Sequence, residues 1–207
     1  SFTSGTFTIT KATLTVVAYD QTKIYGETDP ELTFWFSGLV NGDDDSVFTG
    51  SLERTGDDDF GTYVVGVGDL SAGVNYLLSF TSGTFTITKA TLTVVAYDQT
   101  KIYGETDPEL TFWFSGLVNG DDDSVFMGSL ERTGDEDAGT YTISIGNLSA
   151  GSNYEISFTP GIFTIIAVEE EEEESAVWLD MYVQLFLIWL ILLLLIAVGY
   201  RIGRKEE

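Results

Sequence analysis

A stretch of thirty-six residues, TLTVVAYDQTKIYGETDPELTFWFSGLVNGDDDSVF, occupies positions 13–48 and recurs letter for letter at 91–126. The offset of 78 residues (91 − 13 = 78) is the period of a tandem array. In such an array each repeat is one folding unit, and neighbours stack in chain order. Whatever fold one copy adopts, the other must adopt as well. The array gives way to a run of Glu, one long apolar segment and a short basic tail.

The boundaries follow from partial repeats. Residues 1–11 (SFTSGTFTITK) match 79–89, and 157–166 (SFTPGIFTII) are a third version of the same strand. The chain thus opens in mid-repeat, and at least one further module is expected upstream. The divisions are then 1–11, the last strand of a truncated repeat; 12–89 and 90–166, two complete modules; 167–176, an acidic linker; 177–200, a transmembrane helix; and 201–207, a cytoplasmic tail.

Charge narrows the partners. Nine Lys and Arg face thirty-three Asp and Glu, a formal charge of −24. No basic patch is available to displace phosphate counterions, which argues against nucleic acid. Cys and His are both absent, removing disulfide staples, thiol nucleophiles, imidazole bases and zinc sites together. Each module must hold itself by its apolar core. Fourteen Phe, ten Tyr and four Trp supply it, at roughly 25 cal/mol for each Å² removed from water.

Within a repeat the hydrophobic period is two. Phe7 and Ile9 alternate with Thr6, Thr8 and Thr10, and Leu32, Phe34 and Phe36 with Thr33, Trp35 and Ser37, the pattern of half-buried strands. Asp29-Pro30, Asn41-Gly42, Thr55-Gly56 and Ala72-Gly73 mark turns between them. Positions that differ between the copies identify the faces. Val64, Gly66 and Leu77 become Thr142, Ser144 and Glu155, while the neighbours Val65, Val67 and Leu78 become Ile143, Ile145 and Ile156. Alternate positions stay apolar because one face is buried and the other wet. The expected core therefore contains Tyr63, Val65, Val67, Tyr76, Leu78 and Phe80, with their second-copy counterparts.

No repeat holds a helical stripe long enough to stand alone, so the fold class is all-β. The expectation is tandem immunoglobulin-like sandwich modules followed by one C-terminal transmembrane α-helix. Asp59-x-Gly61-x-Tyr63 and Asp137-x-Gly139-x-Tyr141 point to the sandwich, in which a corner Tyr hydroxyl satisfies backbone near the start of a late strand. A β-grasp-like module is the alternative.

Lys23-Ile24-Tyr25-Gly26, Asp29-Pro30, Ser37-Gly38-Leu39-x-Asn41-Gly42-Asp43, Gly61-Thr62-Tyr63 and Ala72-Gly73-x-Asn75-Tyr76 carry a family resemblance in order. The chain resembles the bacterial MBG repeats of the YGX type over nearly all of residues 12–166. That resemblance implies a repetitive cell-surface stalk or adhesin-like module, and it implies no catalytic residues.

Acidic loops offer the chemistry a cation would use: Asp43, Asp44 and Asp45 with Asp57, Asp58 and Asp59, and in the second copy Asp121, Asp122 and Asp123 with Asp135, Glu136 and Asp137. Calcium takes roughly six to eight oxygens, which adjacent loops at one end of a sandwich are placed to supply. Solvated acidic loops are the competing reading. Nothing selects one carboxylate pair for glycoside chemistry, and the expectation is a chain that is not an enzyme. Trp35 and Trp113 stand on the polar-alternating face of their strand, as sugar-stacking platforms or as rings under a neighbouring loop.

After residue 168 come six Glu at 169–174, then an apolar run at 181–200 in which Gln184 is the one strongly polar side chain. Twenty residues of helix span about 30 Å, the thickness of a hydrocarbon core. Trp178, Tyr182, Trp189 and Tyr200 are the aromatic anchors, and Arg201, Arg204 and Lys205 place the tail in the cytoplasm. Asp180 and Gln184, four apart, share a helix face and are candidates for contact with a partner helix. The expected partners are the lipid bilayer, helices of a membrane complex, and an extracellular ligand of undetermined kind. The expected role is a membrane-anchored surface stalk or adhesin-like spacer; the alternative is an accessory subunit of a membrane complex, held by its single helix.

Overall fold

A computed structural model of the chain describes residues 2–168 and 174–203, and within the C-terminal helix the side chains of Trp178, Asp180 and residues 181–196. The first module comprises β1 (Ala12–Ala18), β2 (Gln21–Ile24), β3 (Phe34–Ser37), β4 (Phe48–Thr49), β5 (Glu53–Arg54), β6 (Gly61–Gly66), β7 (Ser71–Ala72), β8 (Tyr76–Thr81) and β9 (Gly83–Thr88). The second repeats them as β10 (Ala90–Ala96), β11 (Gln99–Ile102), β12 (Phe112–Ser115), β13 (Phe126–Met127), β14 (Glu131–Arg132), β15 (Gly139–Ser144), β16 (Ser149–Ala150), β17 (Tyr154–Thr159) and β18 (Gly161–Ile166). Inside each module the helical element described is a three-residue 3₁₀ turn, Asp45–Val47 or Asp123–Val125. The chain is mostly strand, in tandem sheet modules with one C-terminal helix.

Each module contains a three-stranded sheet, β3-β1-β8, a four-stranded sheet, β2-β9-β6-β5, and a short pair, β4-β7. Its first and last strands run parallel, β1 with β8 and then β2 with β9. The two segments, β1 to β2 and β8 to β9, leave one sheet for the other at the same place. There a Cβ at Gly83 would lie 2.8 Å from the Tyr19 carbonyl, and the Asp20 carboxylate accepts the Thr84 N–H at 2.7 Å. Only glycine lets the two backbones pass so closely.

Alternation does the rest. Leu14 and Val16 on β1, Val65 on β6, and Phe85 and Ile87 on β9 are fully buried, as are Leu92, Val94, Ile143 and Phe163 in the second module. Each such side chain is worth about 1.5–3 kcal/mol of burial. Phe34 and Phe36 meet Phe48 edge-on, each with ring centroids 5.0 Å away. The polar-alternating face is wet as expected, and Trp35 and Trp113 stand half exposed on it.

Three core and strand expectations are corrected. Val67 lies beyond the end of β6, in a turn closed by the Leu70 N–H on its carbonyl, and is 36 % exposed. Its counterpart Ile145 packs against the core. Phe7 and Ile9 are not half-buried strand residues: they sit outside any strand, 89 % and 84 % exposed. Their copies Phe85 and Ile87 are buried because β2 and β6 flank β9, and residues 2–11 have no such neighbours among the described residues.

The helix α1 spans Glu174–Gly203. Residues 181–196, sixteen positions (196 − 181 + 1 = 16), carry exposed apolar side chains interrupted by Gln184. Among the described residues no helix is long and apolar enough to cross a membrane. Residues 169–173 of the acidic linker, together with Arg204 and Lys205, lie outside the described residues; the side chains of Tyr200 and Arg201 lie outside those described.

Candidate functional site at the module joint

Two assemblies of polar side chains emerge from the repeat, and both use residues of the motifs quoted above. The first is an ion-pair ring. Strand β2 turns Lys23 toward the interior, leaving it 7 % exposed. Its ammonium meets Asp29 at 2.6 Å and Asp58 at 2.9 Å. Arg54 on β5 closes the ring, with Nε 2.8 Å from Asp29 and Nη2 2.6 Å from Asp58. The guanidinium stacks over the rings of Phe85 and Tyr63, which desolvates one side of it. Lys101, Asp107, Arg132 and Glu136 form the same ring in the second module. The longer Glu replaces Asp58 without losing either partner.

Charge neutralisation sets the acidities. Burial disfavours a charged Asp29, yet the hydrogen bonds from Lys23 and Arg54 outweigh it and hold the carboxyl below the ordinary aspartate value. Hydrogen bonding from Lys23 does the same for Asp58, and from Lys101 for Asp107 and Glu136.

The second assembly is the joint between modules. One residue, Lys89, separates β9 from β10. The Tyr25-Gly26 corner of the first module presses onto the second. Tyr25 donates to Asp121 Oδ2 at 3.1 Å and accepts from Asn119 Nδ2 at 3.2 Å. Its ring meets Tyr154 edge-on at 5.5 Å. Gly26, at φ +85°, lies so close to Val118 that an added Cβ would sit 2.5 Å from a methyl carbon. Beside it the Asn153 amide spans the boundary, donating to Asp59 Oδ1 and accepting the Phe60 N–H, both at 2.8 Å. Tyr63 holds that loop in place by donating to the Asp59 carbonyl at 2.8 Å. This is the hydrogen bond expected of a tyrosine corner, and Tyr141 repeats it on Asp137.

The receiving face is itself pre-arranged. Tyr154 donates to Asp121 at 2.7 Å and accepts the Val118 N–H at 3.1 Å. Burial, together with the Asp121 carboxylate, pushes the Tyr154 phenol up to about 12.

The expected calcium ligands are dispersed over other tasks. Asp43 and Asp121 accept from tyrosines. Asp44 and Asp122 cap the 3₁₀ turns through the N–H of Ser46 and Ser124. Asp58 and Glu136 face the ammonium and guanidinium groups of the rings, and Asp57 and Asp135 lend their carbonyls to Arg54 and Arg132. Asp59 belongs to the joint, Asp137 accepts from Tyr141, and Asp45 and Asp123 are exposed. Among the described residues no three carboxylates gather as a cation cage. On α1, Trp178, Tyr182 and Trp189 are exposed, as are Asp180 and Gln184.

A family model for the MBG domain of the YGX type matches residues 14–86 and 92–164, one match per module. The chain belongs to the MBG family. Comparison with curated proteins gives no match. In these MBG modules the motif residues fall into the two assemblies: Lys23 and Asp29 in the ring, Tyr25 and Gly26 on the pressing corner, and Asn119, Asp121, Asn153 and Tyr154 on the receiving face. Apart from Phe60, which is Ala138 in the second copy, the joint residues carried no separate signal in the sequence, because each occurs identically in both copies and only one of each pair is in contact.

Proposed function

We propose that the chain is a membrane-anchored cell-surface protein in which tandem MBG modules of sandwich type form a stiff, adhesin-like spacer. The observation that carries the spacer is the joint: Tyr25 meets Asn119, Asp121 and Tyr154 of the next module, and a single residue links the strands on either side. MBG repeats are typical of surface proteins.

Anchoring rests on α1 and the sequence around it. A helix hydrophobic on all sides is one that is buried, in a protein core or a membrane, and the described part exposes Leu, Ile, Phe and Trp along its length. The apolar run continues in sequence to residue 200, about 30 Å of helix. Six Glu precede it, and Arg201, Arg204 and Lys205 follow, which puts the modules outside and the tail inside. Protease added to intact cells should remove the modules while a tag after Glu207 survives. Loss of the tag with intact modules overturns the reading.

A second reading, an accessory subunit of a membrane complex, is favoured by Asp180 and Gln184, two polar side chains four apart on an apolar helix. The mass of the detergent-solubilised protein separates the two. A monomer fits the simple anchor, and a fixed larger assembly fits the subunit.

A further inference from the structure

The residues that receive the Tyr25 corner exist twice; Tyr76 and Tyr154 are buried alike and Asn41 and Asn119 are both exposed, but three positions differ in cover between the two sets. Val118, Asp121 and Asn153 are half-buried, whereas Val40, Asp43 and Asn75, at the same places in the first module, are exposed. Ala90 is buried where Ala12 is only half so. Yet the uncovered face is built like the covered one. Tyr76 donates to Asp43 at 2.7 Å and accepts the Val40 N–H at 3.1 Å, the distances found for Tyr154 with Asp121 and Val118. Asn41 holds the same left-handed φ of 59° as Asn119.

A groove beside this face is lined by Ile9, Lys11, Ala12, Val40, Asn41 and Asn75. Lys11 stands where Lys89 stands in the next repeat, and the Lys89 ammonium lies 5.1 Å over the Phe60 ring at the occupied joint.

We propose that Val40, Asn41, Asp43, Asn75 and Tyr76 form a docking site for the Tyr-Gly corner of another MBG module, one that carries Phe at the position of Phe60. Docking places the incoming Tyr hydroxyl between Asn41 and Asp43, its ring edge-on to Tyr76, and the incoming Phe under Lys11. Gly is required after the Tyr because Val40 approaches as Val118 does. The second module of this chain is a poorer donor, because Ala138 stands at the position of Phe60 and brings no ring to lie under Lys11. The inference rests on the spacer half of the reading above and is indifferent to how the chain is anchored.

The test exploits the identity of residues 1–11 with 79–89. Inserting a copy of residues 12–78 ahead of Ser1 in the full chain completes one more Phe-bearing module whose last strand is already present. In detergent micelles, the Val40 methyl and Asn41 side-chain amide resonances should move to the positions of Val118 and Asn119. Val40→Arg, or Gly→Ala at the inserted counterpart of Gly26, should return Asn41 to its original position. If the inserted module folds, as its own dispersed methyl signals would report, and neither resonance moves, the proposal is wrong. It is equally overturned if the unmodified chain self-associates and Tyr103→Ala abolishes the association, since the occupant is then a second copy of the chain. Failure here leaves the protease result on anchoring untouched.

Discussion

Tyr25 and Tyr103 hold the same place in two copies of one identical stretch, yet Tyr25 is 5 % exposed and Tyr103 51 %. The local sequence is the same, so the difference belongs to the module that follows Tyr25. Asn119, Asp121 and Tyr154 cover it. A duplicated chain of this kind supplies its own control: the same substitution made in both copies differs only by what the joint adds.

Removing the hydroxyl is the mildest such pair. Tyr25→Phe deprives the Asp121 carboxylate and the Asn119 amide of a partner and should cost about 1–2 kcal/mol. Tyr103→Phe, at an exposed site, should stay within about 0.5 kcal/mol. Urea unfolding of the two variants checks this, and equal losses would remove the joint from the account.

Adding one methyl group is harsher. Gly26 and Gly104 sit at φ +85° and +88°, so Ala at either carries left-handed strain of about 1–2 kcal/mol. Only at Gly26 does the new carbon also meet Val118, whereas at Gly104 nothing lies within 4 Å. Gly26→Ala should therefore destabilise more than Gly104→Ala. It should also broaden the distribution of intermodule distances in small-angle scattering of residues 1–166, leaving the Gly104 variant narrow.

Alkaline pH should weaken the fold through Tyr154. Its folded value of about 12 lies above the ordinary 10.0, so the neutral phenol stabilises the folded state fully below pH 10. That contribution is lost as pH rises from 10 to 12. The melting temperature should fall across this window, and Tyr154→Phe should flatten the fall. A variant that tracks the parent through the window would show the phenol is not responsible.

Acid acts on the ion-pair rings with the opposite sign. Asp29, Asp58, Asp107 and Glu136 are held below their ordinary values. Their contribution is present above the unfolded values, 3.8 for the aspartates and 4.5 for Glu136, and is lost as pH falls through the lower folded values. Asp29→Asn should cost about 1–2 kcal/mol at pH 7, trimmed from a fully buried pair because the Asp29 side chain is 39 % exposed. Denaturant titrations at pH 7 and pH 3 should show parent and variant converging in acid. A gap undiminished at pH 3 would assign the loss to packing instead.

The sequence alone determined whatever depends on near neighbours and on repetition. Period-two alternation placed Leu32, Phe34 and Phe36 inward and Trp35 outward, because a strand sends successive side chains to opposite faces. Substitutions between the copies separated Val65 from Val64 for the same reason. The tyrosine-corner spacing anticipated the bond from Tyr63 to Asp59, which spans four residues. Tertiary structure alone decided which acids meet which cations, since Lys23 and Asp58 are 35 residues apart and nothing in an acidic loop distinguishes Asp58 from Asp57. It also decided the joint, where Tyr25 and Asp121 lie 96 residues apart. Identical residues receive identical local instructions, so Tyr25 and Tyr103, or Phe85 and Phe7, diverge only when a neighbouring surface is close enough to bury one of them.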